Sequence, residues 1–200
     1  MKIQKFEDRE SWLAGRRGKI TGTRLKDIIV KRGTGKKIGY YELIAERLAV
    51  APDGENPMDR GTRLEEDAIA RFQKETGKEV DTSLVIWERS DNESIAISPD
   101  GFMGDTEAVE AKCLSSARHI EAYLTKEVPD EYKMQTIQYF IVNEKLETLY
   151  VVFYDPRIPV KDYFALTINR EDVAKEVEDY LAYQQDTIAE VNRIVNELTF

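Results

Sequence analysis

Residues 98–113, SPDGFMGDTEAVEAKC, restrict the fold more than any other stretch. The arm TEAVEAKC alternates small apolar with charged residues, which is the period of a strand. Gly104 and Asp105 supply a turn before it, and an extended arm precedes the turn, so the stretch reads as a β-hairpin. A turn centred there places Asp100 opposite or next to Glu110, with Cβ atoms about 5 Å apart. Glu110 and Lys112 are two residues apart and share one face, while Val109, Ala111 and Cys113 take the other. Two carboxylates and an ammonium therefore converge on one patch.

Like charges that close are destabilising unless something offsets them. A divalent cation would do so, and hard oxygen donors suit Mg²⁺, with Mn²⁺ as a substitute. Two carboxylates on such a cation, with a lysine beside them, make a hydrolytic site for phosphodiesters. The cation lowers the pKa of a water and polarises the phosphoryl oxygen, and Lys112 orients the nucleophile and stabilises developing charge. The plainer alternative is a solvated strand face carrying a Glu–Lys pair. Glu-x-Lys alone does not choose between them; Ser-Pro-Asp-Gly ten residues ahead favours the site.

Around the hairpin the pattern is α+β: a small mixed sheet with helices about it, in one domain spanning 1–200. Helices are expected over 7–14, 23–30, 40–50 and 58–76, the last ending at Gly77. EVDTSLVIWER and SIAIS read as strands, followed by helices over 116–124 and 130–142. TLYVVFYD and DYFALTI read as further strands. From Asn169 a long amphipathic helix carries Val173, Val177, Leu181, Ile188, Val191 and Val195, with Asn169 and Asp172 as its capping pair.

Two helices place polar residues in apolar stripes. On DRGTRLEEDAIARFQKE, Leu64, Ala68, Ile69 and Phe72 recur at helical spacing, and Glu65 falls inside that stripe while Glu66 falls outside. A carboxylate on a buried face needs a partner, so Glu65 is either a further metal or water ligand or a salt bridge at the stripe's edge. On EYKMQTIQYFIV, a stripe of Met134, Ile137, Ile141 and Val142 has Gln138 at its centre and Gln135 at its edge, with Thr136 turned away. A glutamine there holds a water or a phosphate oxygen, or is a core amide satisfied by backbone. Near the start, Arg16, Arg17 and Lys19 precede a helix opening at residues 21–23, an arrangement suited to an anion or to an ordinary capped turn. His119 is read as surface or phosphate-proximal, Cys113 as core, and Asp155-Pro156-Arg157 as a strand-end turn.

Charge narrows the function classes. The net charge is −9, with 29 Lys and Arg against 38 Asp and Glu, which argues against a general nucleic-acid coat protein. The basic residues gather in RRGKITGTRLKDIIVKRGTGKK, which suits an anion at one place only. A single cysteine excludes an intrachain disulfide framework and any four-cysteine cluster. No apolar run is long enough to span a membrane, the N-terminus lacks a signal core, and a cytoplasmic, reducing location is expected.

The motifs in their order (WLAGRRGKITGT, GTRLEEDAIARF, SPDG, EAKC followed by SSAR, a Gln-bearing helix and YDPR) resemble those of the phage lambda-type exonucleases. These are also called viral alkaline exonucleases or YqaJ-like recombinases, within the PD-(D/E)xK nuclease fold, and the resemblance covers nearly the whole chain. It implies Mg²⁺-dependent 5′→3′ degradation of one strand of duplex DNA from its ends. It implies metal binding by Asp100, Glu110 and the carbonyl of Ala111, a catalytic Lys112, and Glu65 near the metal. It implies a 5′-phosphate pocket at Arg16 and Thr23, with Lys19 beside it, and a further phosphate contact at Arg118. Relatives form a ring-shaped homotrimer around DNA and work with a single-strand annealing protein in phage recombination, inside a bacterial host. The family's Gln-x-Gln is replaced here by Gln135-x-x-Gln138, and the helical wheel favours Gln138, then Gln135. A structure-specific or restriction-like endonuclease on the same core, and a non-catalytic DNA-end binding protein, are the competing classes.

Overall fold

A computed structural model describes residues 57–198, together with the isolated positions Asp8, Glu10, Ser11, Ile38, Tyr41, Ile44, Ala45 and Leu48. The helix expected over 23–30, most of those over 7–14 and 40–50, and the pocket of Arg16, Lys19 and Thr23 lie outside the described residues. Tyr41 and Ala45 are helical and buried against Ala117, Ile120 and Ile158.

The described elements are α1 (Pro57–Thr76), β1 (Trp87–Arg89), β2 (Asn92–Ile97), β3 (Gly101–Met103), β4 (Glu107–Lys112), α2 (Ser116–Thr125), α3 (Asp130–Val142), β5 (Thr148–Tyr154), β6 (Tyr163–Asn169), a 3₁₀ turn (Arg170–Val173) and α4 (Ala174–Leu198). Strands β3-β4-β5-β6 form a mixed sheet in that order; β4 and β5 are parallel and joined through α2 and α3, and the other pairings are antiparallel. Strands β1 and β2 form a separate ribbon.

Alternation divides the sheet's side chains between two layers. Val109, Cys113 and Val152 pack with Leu64, Ala68, Ile69 and Phe72 of α1. Ala108, Leu149, Val151 and Phe153 face Tyr139 and Phe140 of α3. Phe72, Phe153, Tyr139 and Phe140 are fully buried, each worth roughly 1.5–3 kcal/mol of burial. The outer side of α3 is covered as well: Ile137, Ile141 and Val142 meet Ile95 of the ribbon and Val173, Val177, Leu181 and Ile188 of the C-terminal segment. Arg170 secures the far end of α3 and the turn after it by donating to the carbonyls of Phe140, Asn143 and Leu146 at 3.0, 2.6 and 2.7 Å.

Several expectations hold. Gly77, at φ +70°, ends α1 and donates to the carbonyl of Gln73. Asn169 and Asp172 form the capping box before α4. Cys113 is buried, and Asp155-Pro156-Arg157 is a turn after β5. The strand expected over 79–89 shrinks to β1: Leu84 and Ile86 are exposed, and among the described residues only Asp81, bridged to Phe102, pairs before Trp87. Propensity without a partner strand does not make a strand. Thr136 is buried and Met134 exposed, the reverse of the wheel.

His119 is not at the surface. It is buried edge-on against Phe164, and its Nε2 lies 2.9 Å from the carbonyl of Lys161, which makes Nε2 the protonated nitrogen. Nδ1 is buried without a partner. Burial holds the imidazole's pKa below its usual 6.5, against smaller opposing effects of the Lys161 carbonyl and Asp162. The unfolded chain therefore takes up the proton first, and stability contributed by the neutral ring is lost as pH falls below about 6.5. His119→Gln, which keeps a donor for Lys161, is expected to narrow the difference between melting temperatures at pH 7 and pH 5. An unchanged difference would contradict this account.

Candidate active site

The hairpin turn spans residues 104–106, with Gly104 at φ +62°. The register pairs Gly101 with Val109, Phe102 with Ala108 and Met103 with Glu107, so Asp100 stands opposite Glu110 as expected. The pairing stops at Gly101, leaving the C-terminal half of β4 without a strand neighbour on that side. Asp100 fills the first gap: its Oδ2 accepts the N–H of Ala111 at 2.8 Å.

That open edge explains how residues from both layers meet. Glu110 and Lys112 point to the α3 side, yet Glu65 of α1 reaches the same cavity around the edge. The cavity, of about 410 Å³, has Glu65, Asp100, Glu110, Ala111, Lys112, Ser115, Arg118 and Tyr132 in its lining. Glu65 is half-buried and Glu66 exposed, as the stripe on α1 predicts.

Helix α3 supplies the other wall. Gln135 donates Nε2 to Glu110 Oε1 at 2.7 Å and accepts from Lys112 Nζ at 2.9 Å. Lys112 also donates to Glu110 Oε1, and the hydroxyl of fully buried Tyr139 donates to Glu110 Oε2 at 2.5 Å. Gln138 lies elsewhere, in a reciprocal amide pair with Gln184 of α4 at 3.2 and 2.8 Å. The order of the two glutamines is thus reversed. A helix covered on both sides has no single inner face, and the wheel centred on the layer shared with α4.

Tyr139 and Tyr132 are residues that sequence reasoning missed. A signal existed: Tyr132, Gln135 and Tyr139 are spaced i, i+3, i+7, so polar-tipped side chains share one helical face.

Electrostatics mark the carboxylate cluster as short of positive charge. Asp100's carboxyl is pushed up to about 7, first by burial and then by Glu110, partly opposed by the Ala111 N–H. Burial and then Glu110 also raise the Glu65 carboxyl. Among the described residues no group of three carboxylate, histidine or cysteine side chains stands arranged to hold a metal ion; Lys112, Gln135 and Tyr139 already occupy both oxygens of Glu110. The donor chemistry nonetheless fits a hard divalent cation, because burial and then the neighbouring Glu110 disfavour the charged forms of Asp100 and Glu65, a penalty such an ion would relieve.

Arg118, also in the lining, bonds Glu121 at 2.6 Å and lies 3.7 Å from Glu131. It follows the N-cap of α2, where the Ser115 hydroxyl accepts the Arg118 N–H at 3.3 Å. The turn between Lys112 and Arg118 is braced by Asp155. Its carboxylate accepts from Ser116 at 2.6 Å and from Arg157 at 2.7 and 2.9 Å, and Arg157 also reaches the carbonyl of Leu114.

Gly101 is required by contact rather than by its backbone angle. A Cβ there would stand 2.4 Å from Val80 Cγ1, because the Asp81–Phe102 bridge presses that segment onto β3. Gly101→Ala is expected to cost about 1–3 kcal/mol in urea unfolding and to displace Asp100. Adding Val80→Ala should recover much of the loss; an additive pair would show the clash is not the cause.

The chain matches the family model of the YqaJ-like viral recombinase domain over residues 11–146. It is similar to the alkaline exonuclease LHK-Exo of Laribacter hongkongensis, at 31% identity and TM-score 0.56, covering 95% of this chain and 100% of that one. The same coverage and TM-score, with 32% identity, relate it to LHK-Exo in complex with dAMP. No curated protein matches.

Proposed function

Because this chain belongs to the family of YqaJ-like viral recombinase domains, a family of nucleases, we propose that it is a Mg²⁺-dependent 5′→3′ exonuclease. It degrades one strand of linear double-stranded DNA from 5′-phosphorylated ends and leaves 3′ single-stranded tails for recombination. The observation that carries this reading is the convergence of Asp100, Glu110, Lys112 and Glu65 on one cavity, with Gln135 bonded to both Glu110 and Lys112. The relative's complex with dAMP, a deoxynucleoside monophosphate of the kind such an enzyme releases, supports it.

Asp100, Glu110, the carbonyl of Ala111 and Glu65 would hold the cation, Mg²⁺ or Mn²⁺. When bound, that ion supplies a water of lowered pKa and polarises the scissile phosphate. The chain's own groups do the rest. Lys112 holds positive charge where the phosphate becomes more negative, and Gln135 orients both Lys112 and Glu110. Tyr139 keeps Glu110 aimed into the cavity, as outer partners of metal ligands do. Arg118, in the same lining, meets a neighbouring phosphate, and Arg16, Lys19 and Thr23 receive the terminal 5′-phosphate.

With this reading we place one nuclease domain over 1–200, a homotrimeric ring and a single-strand annealing partner, in the cytoplasm of a bacterial host. Among the described residues no helix is long and apolar enough to cross a membrane. The test is a digestion time course with Mg²⁺ on end-labelled linear duplex, with and without 5′-phosphate, beside covalently closed circles. Loss from phosphorylated 5′ ends with circles spared is expected. Nicked circles would move the assignment to an endonuclease, and binding without cleavage in either metal would leave a DNA-end binding protein. Gel filtration tests the ring.

A further inference from the structure

Lys112 has one contact that the proposed chemistry does not use. Its ammonium lies 4.5 Å from the centroid of the Tyr132 ring, within the range in which a cation is drawn to an aromatic face. The lysine side chain is only 12% exposed, and attraction of this kind is strongest when the cation has lost its water. Tyr132 is well held. Its N–H bonds the carbonyl of Pro129 at 2.9 Å in the first turn of α3, its ring packs against the core, and it lines the cavity.

The ammonium therefore has three partners: Glu110, Gln135 and the ring. They differ in what happens when Glu110 is needed elsewhere. A divalent cation would claim Glu110, and Gln135 donates to the same Glu110 oxygen that Lys112 uses, so both polar partners are tied to that carboxylate. The ring is not. We infer that Tyr132 is a positioning residue: its aromatic face is the seat that keeps the Lys112 ammonium in the cavity when Glu110 is engaged by a cation. The inference rests on the proposed role of Lys112.

The test uses Tyr132→Phe, which keeps the face, and Tyr132→Leu, which keeps apolar bulk without it. Tyr132→Phe is expected to retain wild-type kcat. Tyr132→Leu is expected to lower kcat about tenfold, the scale of a desolvated cation–aromatic contact, with KM for duplex ends unchanged. A second readout needs no activity: urea unfolding in EDTA of wild type, Tyr132→Leu, Lys112→Met and the double variant. The two changes should couple, so that Tyr132→Leu shifts the unfolding constant about fivefold more with Lys112 present than without it. Additive midpoints, or a Tyr132→Leu variant with full kcat, would overturn the inference. An equal loss in Tyr132→Phe and Tyr132→Leu would do the same, assigning the effect to the hydroxyl. A wild type without nuclease activity would refute the proposed function, while the unfolding cycle would still judge the seat.

Discussion

Lys112→Met is expected to lower the rate of nucleotide release by about 10²–10³-fold, with binding of duplex ends retained. The ammonium sits among Glu110, Gln135 and Tyr132, and its charge is of greatest use when a phosphate beside it gains negative charge. Methionine keeps most of the unbranched chain and removes the charge together with the N–H donors to Glu110 and Gln135. Because the loss concerns the transition state, it should appear in kcat rather than KM. Single-turnover digestion of end-labelled duplex, alongside a binding measurement without Mg²⁺, separates the two. A variant that cleaves at the wild-type rate would remove Lys112 from the chemistry, and one that no longer binds ends would assign it to substrate capture.

Asp100→Asn is expected to abolish hydrolysis and, without metal, to stabilise the protein at alkaline pH. The carboxyl is buried beside Glu110, and its pKa is raised from 3.8 to about 7. Between those values the folded chain keeps a proton that the unfolded chain has lost. Stability is therefore full below about pH 4, declines as pH rises, and beyond about pH 7 bears the whole penalty. That penalty amounts to at most about 4 kcal/mol. Asparagine abolishes the charge and keeps an oxygen to accept the Ala111 N–H. Urea unfolding in EDTA should thus find the variant more stable than wild type at pH 8, with the gap nearly closed at pH 4. Adding Mg²⁺ should stabilise wild type and leave the variant almost unmoved. A gap that does not change with pH would contradict the electrostatic origin of the strain.

The two results together would describe a site that gives up stability for chemistry. Like charges are held together by the surrounding packing. The braced turn of Ser116, Asp155 and Arg157 and the covered helix α3 supply that packing. Tyr139 belongs to both roles, as a fully buried core residue and as a donor to Glu110.

The hairpin, the pairing of Asp100 with Glu110, the stripe on α1 with Glu65 inside it and the capped C-terminal helix were legible in the residues alone. Each rests on a local period of two or 3.6, which follows from backbone geometry whatever the rest of the chain does. The choice of Gln135 over Gln138, the burial of Thr136 and His119, the short reach of β1, and the convergence of Tyr132 and Tyr139 on Lys112 and Glu110 were decided only in the assembled structure. There α3 lies between the sheet on one side and the β1–β2 ribbon with α4 on the other. A helix buried on two sides carries apolar residues almost all round, so its pattern does not say which polar group meets β4. That depends on which layer each side faces, a property of the packing and not of the helix.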